Sequence, residues 1–152
     1  AEVMARVEAC DLFAAVAAVS DYRPQEVHFE KLKKQRERLH LSLVRNPDIL
    51  AEVAASTRPP FTLGFAAETQ DLAANAATKL REKGLDMIAA NRVGSGEGGF
   101  ESERNAISLF WEGGGRDLEM APKIRLAREL AKVVAERYRL ARAGSQRTAD
   151  PF

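Results

Sequence analysis

Three short apolar runs, each ending in small residues before a polar side chain, dominate the hydrophobic pattern of the chain. The first covers residues 12–19, within a strand predicted over 11–19, and stops at the turn signal SDYRP. An apolar run of this length between turn signals is typical of a strand buried on both faces of a parallel sheet. The alanines would also suit a helix, but Val16, Val19 and the stop at Pro24 favour a strand.

The other two runs are residues 61–67, FTLGFAA, and 85–90, LDMIAA, which are followed by Glu68 and Asn91. Helical patterns separate the runs, so the chain repeats strand–helix–strand, which predicts parallel strands with right-handed crossovers. The carboxyl ends of such strands meet at one edge of the sheet, where open α/β sheets bind ligands. We therefore expect Asp21, Glu68 and Asn91 to line one crevice; the alternative is an ordinary solvated turn after each strand.

The helix predicted over residues 47–57 has a strong start signal. Asn46 suits the N-cap, Pro47 the first helical position and Asp48 the positive end of the helix dipole. Free N–H groups gather at a helix start, so this is also a candidate phosphate site, although capping alone is the simpler explanation.

A second helix is predicted over residues 70–83, with Thr69 as its cap. Lys79 and Lys83 are four residues apart and therefore share one face. Two lysines at this spacing are usually solvated or favourable partners of the helix dipole. The predicted inner side of this helix consists of Ala73, Ala76, Ala77 and Leu80.

The segments around the first strand are less regular. Residues 2–9 have the pattern of an amphipathic helix, and residues 21–38 are polar and basic, as in a loop or arm. Residues 39–45 alternate apolar and polar side chains, which predicts a half-exposed strand. Such a strand on a charged arm could pair with its copy in a second subunit; a lone surface hairpin strand is the alternative.

The C-terminal third predicts a hairpin and a long helix. Residues 94–99 are glycine-rich but no Gly-Lys-Ser/Thr follows them, which excludes a P-loop. Residues 105–111 alternate as a strand, and the glycines after them predict an edge hairpin. Residues 143–152 are expected to be a flexible tail. The longest helix should begin at Pro122 and end near Leu140, with an inner face of Ile124, Ala127, Leu130, Val134 and Tyr138.

Together these elements predict an α/β fold of three layers, Rossmann-like, with a mostly parallel sheet, a protruding β arm and an antiparallel edge hairpin. The 152 residues are enough for one domain. Residues 94–99, GSGEGG, match the letters of G-x-G-x-x-G, but the next predicted element is a strand rather than the helix that the dinucleotide fingerprint requires, which disfavours a dehydrogenase.

Composition narrows the function classes. A net charge of +1 gives no reason to expect nucleic acid or an anionic membrane as partner. One cysteine excludes an internal disulfide, and Cys10 is expected to be a small buried residue. The two histidines, His28 and His40, do not make a metal site. No apolar run is long enough to span a bilayer and no signal peptide is present, so a cytoplasmic protein is expected.

Six motifs occur in a recognisable order between about Asp11 and Tyr138: AAVSDYRP, KLKK, NPDI, GFAAET, ANRV and GGFESERNAISLFW. This series resembles the phosphopantothenoylcysteine synthetase (phosphopantothenate–cysteine ligase) family. In bacteria the family usually forms the C-terminal part of a bifunctional coenzyme A biosynthesis protein, fused to a flavin-dependent decarboxylase.

The resemblance implies a CTP-dependent ligation with Mg²⁺ that joins 4′-phosphopantothenate to L-cysteine through an acyl-cytidylate. It also implies a homodimer formed through an arm at about residues 29–46. Because the base is expected to be recognised by backbone groups, the residues leave CTP and ATP open.

Site residues follow from the same resemblance. Lys31 corresponds to the lysine of a mobile flap and is the catalytic candidate, and Asp21 corresponds to the acid at the end of the first strand. Mg²⁺ held mainly by phosphates needs only one or two carboxylates, and Asp21 or Asp48 could serve. The residues implied in nucleotide binding are Ala15, Val16, Ala17, Asp21, Tyr22, Lys31, Asn46, Pro47, Asp48, Ile49, Phe65, Lys79 and Lys83.

The family also has an N-terminal segment with a glycine-rich phosphate loop and an asparagine and arginine that handle the acyl substrate. We find no match to it in this sequence and expect a chain that starts after it, with a ligase domain over residues 1–142. A non-catalytic fragment that binds nucleotide or only dimerises is the alternative function.

Overall fold

The computed structural model describes residues 2–27, 29–31, 38–68, 71–92 and 102–148. After a 3₁₀ turn at Val7–Ala9, the elements in chain order are β1 (Leu12–Ala15), β2 (Tyr22–Pro24), β3 (Leu43–Arg45), α1 (Ile49–Ala54), β4 (Phe61–Glu68), α2 (Leu72–Glu82), β5 (Met87–Arg92), β6 (Arg104–Trp111), β7 (Gly114–Pro122) and α3 (Lys123–Thr148). Within these ranges, no helix is both long enough and apolar enough to cross a bilayer.

The central sheet has the strand order β1-β4-β5-β6-β7 in the described part of the chain. β1, β4 and β5 are parallel, whereas β6 and β7 form an antiparallel hairpin at the edge. β2 and β3 pair separately as a small antiparallel sheet. The predicted mixed α/β class, with parallel strands and an edge hairpin, is confirmed.

Apolar side chains cover both faces of the sheet. Alternate residues of a strand point to opposite faces, so each buried strand supplies two cores. On one face Val133 and Val134 of α3 pack with Phe61, Leu63, Met87, Ala89 and Leu109 of the sheet. On the other face Ala76 of α2 packs in a smaller cluster with Ala66, Ile88 and Ala90. The result is a three-layer arrangement, helix on sheet on helix.

Two local features fix β4. Gly64 allows a close approach, because a Cβ at this position would lie 2.9 Å from Leu85 Cδ1 and 3.0 Å from Leu50 Cδ2. Thr62 is fully buried, and its backbone N–H and hydroxyl both donate to Asp86 Oδ2 at 2.7 and 2.9 Å. The backbone N–H of Asp86 donates back to Thr62 Oγ1 at 3.0 Å. These bonds join the start of β4 to the residue just before β5.

The first strand differs from its prediction. β1 has only the four residues Leu12–Ala15, and its side chains alternate between exposed and half-buried. It lies at the edge of the sheet with β4 as its described neighbour, so it is not covered on both faces as expected. The predicted helix over residues 2–9 is a set of turns with a short 3₁₀ helix. Cys10 is exposed, so its expected burial is wrong.

The polar segment after β1 also contains more structure than predicted. Residues 22–24 form β2, which pairs with β3, so the strand expected at 39–45 is shorter and has a partner within its own chain. The loop expected at 94–99 lies outside the described residues. So do residues 32–37 of the arm.

The two long helices follow their predictions with corrections at the ends and faces. α2 begins after Asp71, and Ala73 is exposed rather than on its inner side. α3 continues to Thr148, well past Leu140, so residues 143–148 are helical. Its buried positions are Leu126, Val133 and Val134, whereas Ile124 and Ala127 are exposed.

Candidate functional site

A cleft of about 480 Å³ opens beyond the carboxyl end of β1. Its walls are the segment of residues 14–21, the chain around the start of α1, and the side chains of Phe65 and Lys83. The cleft therefore lies beyond the carboxyl end of a parallel strand, on the side of the sheet where open α/β folds bind ligands.

Phe65 enters the cleft because β1 is short. Ala15, the last residue of β1, pairs with Gly64 of β4. Phe65 is the next residue along β4 and therefore extends past the end of its neighbour. Phe65 as a residue is 38% exposed, which leaves part of its aromatic ring available to a ligand.

The wall after β1 is made of small side chains tied by backbone hydrogen bonds. Asn46 holds its far end: the backbone N–H of Asn46 donates to the Asp21 carbonyl at 2.8 Å, and Nδ2 donates to the Ser20 carbonyl at 2.7 Å. Oδ1 of the same amide accepts from Arg23 Nη1 at 2.9 Å. The Asn46 amide is thus engaged within the chain, and Asn46 is not the helix cap that the sequence predicts.

Asp48 is the N-cap of α1 instead. Its Oδ1 accepts the backbone N–H of Ala51 at 3.1 Å, and its Oδ2 contacts Lys83 Nζ at 2.8 Å. Partial burial raises the pKa of Asp48, but the hydrogen bond and charge of Lys83 and the Ala51 N–H outweigh it, so the pKa lies below its ordinary value. The charged Asp48 carboxylate thus occupies the start of this six-residue helix, and Lys83 balances its charge. This arrangement weakens the expectation of a phosphate site there.

Most of the predicted nucleotide-binding residues come together at this cleft. Ten of them line it: Ala15, Val16, Ala17, Asp21, Asn46, Pro47, Asp48, Ile49, Phe65 and Lys83.

The other three predicted residues do not line the cleft. Tyr22 is exposed on β2 and Lys31 is exposed on the arm. Lys79 is half-buried on α2, one turn before Lys83. Of the three polar strand ends expected to meet, Asp21 lines the cleft, Asn91 does not, and the Glu68 side chain lies outside the described part of the chain.

Sequence reasoning missed four further lining residues of note. Val3 and Phe13 add apolar surface, Leu50 extends the start of α1, and Arg45 adds a cation beside Asn46. Arg45 directly precedes the NPDI motif, so its position next to a recognised motif was a usable signal. Val3 offered none, because it precedes every motif.

A divalent cation could use Asp21 more readily than Asp48. Both oxygens of Asp48 already have partners, whereas Asp21 lies exposed on the cleft wall. The described residues contain no group of three or more His, Cys, Asp or Glu side chains suited to a metal. This donor set fits Mg²⁺ held mainly by the phosphates of a nucleotide, which needs only one or two protein carboxylates.

A family model for the DNA/pantothenate metabolism flavoprotein C-terminal domain matches residues 1–138. The Coenzyme A biosynthesis bifunctional protein CoaBC of Vibrio cholerae is 47% identical over 137 residues, which are 88% of this chain and 34% of that protein. The Escherichia coli K12 protein of the same name is 41% identical over 142 residues, 91% of this chain and 35% of that protein. The chain thus spans about a third of the length of these relatives.

Solved structures agree with the sequence relatives. A crystal structure of the C-terminal domain of CoaBC has a TM-score of 0.68 at 30% identity, covering 88% of this chain and 57% of that chain. The flavoprotein of this type from Streptococcus pneumoniae has a TM-score of 0.69 at 19% identity, covering 89% and 67%, and supports the fold alone. The resemblance found in the motifs is confirmed, and the chain belongs to the DNA/pantothenate metabolism flavoprotein C-terminal domain family, matching the C-terminal part of CoaBC.

Proposed function

We propose that this chain is the nucleotide-binding part of a phosphopantothenate–cysteine ligase that acts in coenzyme A biosynthesis. One observation carries the proposal: residues assigned to CTP by resemblance, from four separate segments of the chain, line a single cleft. The names of the relatives support the pathway, since both curated proteins described above are coenzyme A biosynthesis bifunctional proteins. The parent protein would also carry a flavin-dependent decarboxylase domain.

The apolar part of the cleft suits a nucleoside. Alanine side chains at residues 14, 15, 17 and 18 let a flat base approach the backbone, whose N–H and C=O groups would recognise its edge. Phe65 offers a partly exposed ring against which a base or ribose can pack. A volume of about 480 Å³ lies within the usual range for small-molecule sites of roughly 300–1,000 Å³.

The polar part of the cleft suits phosphates and a cation. Lys83 and Arg45 supply positive charge on the lining, and Asp21 would serve as a carboxylate ligand of Mg²⁺. Bound Mg²⁺ would neutralise negative charge on the phosphate oxygens. The Lys83 side chain would turn from Asp48 toward the nucleotide. Lys79, one helical turn earlier on the same face, would add a second positive charge near the phosphates.

The reaction uses these groups for positioning and electrostatic stabilisation. A carboxylate oxygen of 4′-phosphopantothenate attacks the α-phosphorus of CTP, and the bond to pyrophosphate breaks. The amine of L-cysteine then attacks the acyl carbon of the acyl-cytidylate, and CMP leaves. Lys31 would close over the site from the arm and stabilise charge that develops at the α-phosphorus.

Isothermal titration of this chain with CTP and with ATP, each with Mg²⁺, tests nucleotide binding. We expect saturable heat with at least one of the two nucleotides, and the comparison of their affinities decides between CTP and ATP, which the residues leave open. Lys83→Gln should weaken CTP binding, whereas Lys132→Gln, on the exposed side of α3, should not. An absence of heat with both nucleotides would remove the nucleotide site.

Turnover in the full-length parent protein tests Lys31. Lys31→Gln should lower ligation about a hundredfold while CTP binding survives in part. Lys123→Gln, which changes an exposed lysine at the start of α3, is the matched control. Unchanged turnover in Lys31→Gln would remove the catalytic role of this residue.

The apolar surface of the arm favours a second candidate, an assembly module that pairs with another copy. Phe29 is 99% exposed and Leu41 is 61% exposed, and Val27, Leu39 and Leu43 are also exposed. A run of exposed apolar side chains of this kind is typical of an interaction surface. Sedimentation velocity should give a homodimer that Leu41→Glu weakens and Ile124→Glu, on α3, leaves intact. A monomer at all concentrations would exclude this role.

A further inference from the structure

Arg23 lies on β2, and its exposed side chain is not part of the cleft lining. Its guanidinium nevertheless contacts the residue that closes the cleft wall. Nη1 donates to Asn46 Oδ1 at 2.9 Å and to the Arg45 carbonyl at 3.1 Å. Arg23, on β2, is thus joined to β3 through the Arg45 carbonyl and to Asn46, the first residue of the NPDI motif.

The contact with Arg23 fixes which way the Asn46 amide points. The oxygen and nitrogen of an amide have nearly the same shape, but only the oxygen accepts a hydrogen bond and only the nitrogen donates one. A guanidinium on one side therefore selects the oxygen there and turns Nδ2 toward the Ser20 carbonyl, 2.7 Å away. The two bonds depend on each other, since a flipped amide would lose both.

The Ser20 carbonyl matters because the wall has few other polar anchors. Residues 16–19 are Val16, Ala17, Ala18 and Val19, whose side chains offer no hydrogen bonds. The described backbone bonds hold this segment at its ends, from Val16 N to the Ala14 carbonyl at 3.1 Å and from Asn46 to Asp21. The Asn46 amide adds a side-chain hydrogen bond to the far end of this wall, at the Ser20 carbonyl.

We propose that Arg23 is a positioning residue for this wall: it orients the Asn46 amide so that Nδ2 holds the Ser20 carbonyl. The effect on nucleotide affinity rests on the proposed function, whereas the ordering of residues 16–21 does not. Arg23 touches no ligand in this scheme, and its effect on the wall passes through the Asn46 amide rather than through its second bond, to the Arg45 carbonyl.

Two measurements on the whole chain test the proposal. Amide hydrogen exchange without nucleotide should be roughly three- to tenfold faster in Arg23→Gln at the backbone N–H of residue 46, which donates to the Asp21 carbonyl at the end of the wall, as expected for the loss of one net hydrogen bond. The dissociation constant for CTP should rise by a similar factor of about three to ten. Arg23→Lys should give an intermediate result, since an ammonium can still donate but lacks the planar fork.

Arg104→Gln is the matched control, because Arg104 Nη2 donates to the Met120 carbonyl at 3.1 Å across the other hairpin. It should leave exchange at the N–H of residue 46 and CTP affinity unchanged. The decisive variant is Arg23→Gln combined with Asn46→Ala. It should be no worse than Asn46→Ala alone, since Arg23 acts through that amide.

The outcomes separate the two claims. Additive losses in the double variant, or unchanged exchange at the N–H of residue 46 in Arg23→Gln, would overturn the positioning role. If the unaltered chain binds no CTP, the proposed function fails, and the exchange measurement still decides the role of Arg23.

Discussion

Replacing Asp48 by asparagine separates the two interactions that its carboxylate makes. Asparagine keeps an oxygen that can accept the Ala51 N–H, but it removes the charge that faces Lys83. The two side chains are 35% and 34% exposed, so solvent screens the pair, and its loss should cost about 0.5–1 kcal/mol of unfolding free energy. Asp48→Ala loses the helix cap as well, which adds about 1 kcal/mol.

Urea unfolding followed by circular dichroism measures both variants. Asp48→Asn should lower the midpoint by less than Asp48→Ala, and Asp117→Asn, an exposed carboxylate on β7, should stay near the unaltered chain. The double variant Asp48→Asn with Lys83→Met should be less destabilised than the sum of the two single changes. Equal losses in Asp48→Asn and Asp48→Ala, or strict additivity with Lys83→Met, would refute this account.

The same pair predicts a pH dependence with a defined sign. The pKa of Asp48 in the folded chain lies below its ordinary value of 3.8, so the folded state favours the charged carboxylate. The stability that the charge contributes is therefore fully present at about pH 5 and higher, roughly one unit above the ordinary pKa. It is lost as the pH falls through the pKa of the folded state. The gap between the unaltered chain and Asp48→Asn should be equal at pH 7 and about pH 5.5 and smaller near pH 3.5.

Two further changes test how β4 is held. Gly64→Ala should destabilise the chain by about 1–2 kcal/mol, because the new Cβ would lie 2.9 Å from Leu85 Cδ1; Gly144→Ala, which meets nothing within 4 Å in α3, should be neutral or stabilising in the same thermal melts. Thr62→Val should cost about 1–2 kcal/mol, since it removes the hydroxyl bonded to Asp86 in a fully buried site; an unchanged melting temperature would show that this hydroxyl is dispensable.

The buried strands were predictable from sequence because burial on both faces imposes a continuous apolar run. β4 and β5 occur where FTLGFAA and LDMIAA predict them. β1 has the same kind of sequence, yet it is a short edge strand, and the residues after Ala15 form the cleft wall instead. An apolar run does not distinguish a covered strand from a wall of small side chains that faces a ligand.

The candidate site shows a similar division. Motifs identified residues that meet at the cleft, and most of these come from the segment after β1 or the start of α1. They did not identify which residue caps α1. Asn46 and Asp48 are both good caps, and the choice depends on a contact between Asn46 and Ser20, 26 residues apart in sequence. The buried face of α3 also differs from its prediction, because the packing of the helix on the sheet decides which of its residues point inward.

Trp111 is the single tryptophan of the chain, and its surroundings make it an intrinsic optical probe. It ends β6 and packs against the core cluster beneath α3, and the centroid of its ring lies 4.8 Å from the guanidinium carbon of Arg137. It pairs with Met87 at the start of β5, the end of the sheet opposite the cleft. Its fluorescence therefore reports the docking of α3 on the sheet, and comparing its transition with that of the backbone ellipticity will reveal whether the helix detaches before the parallel strands separate.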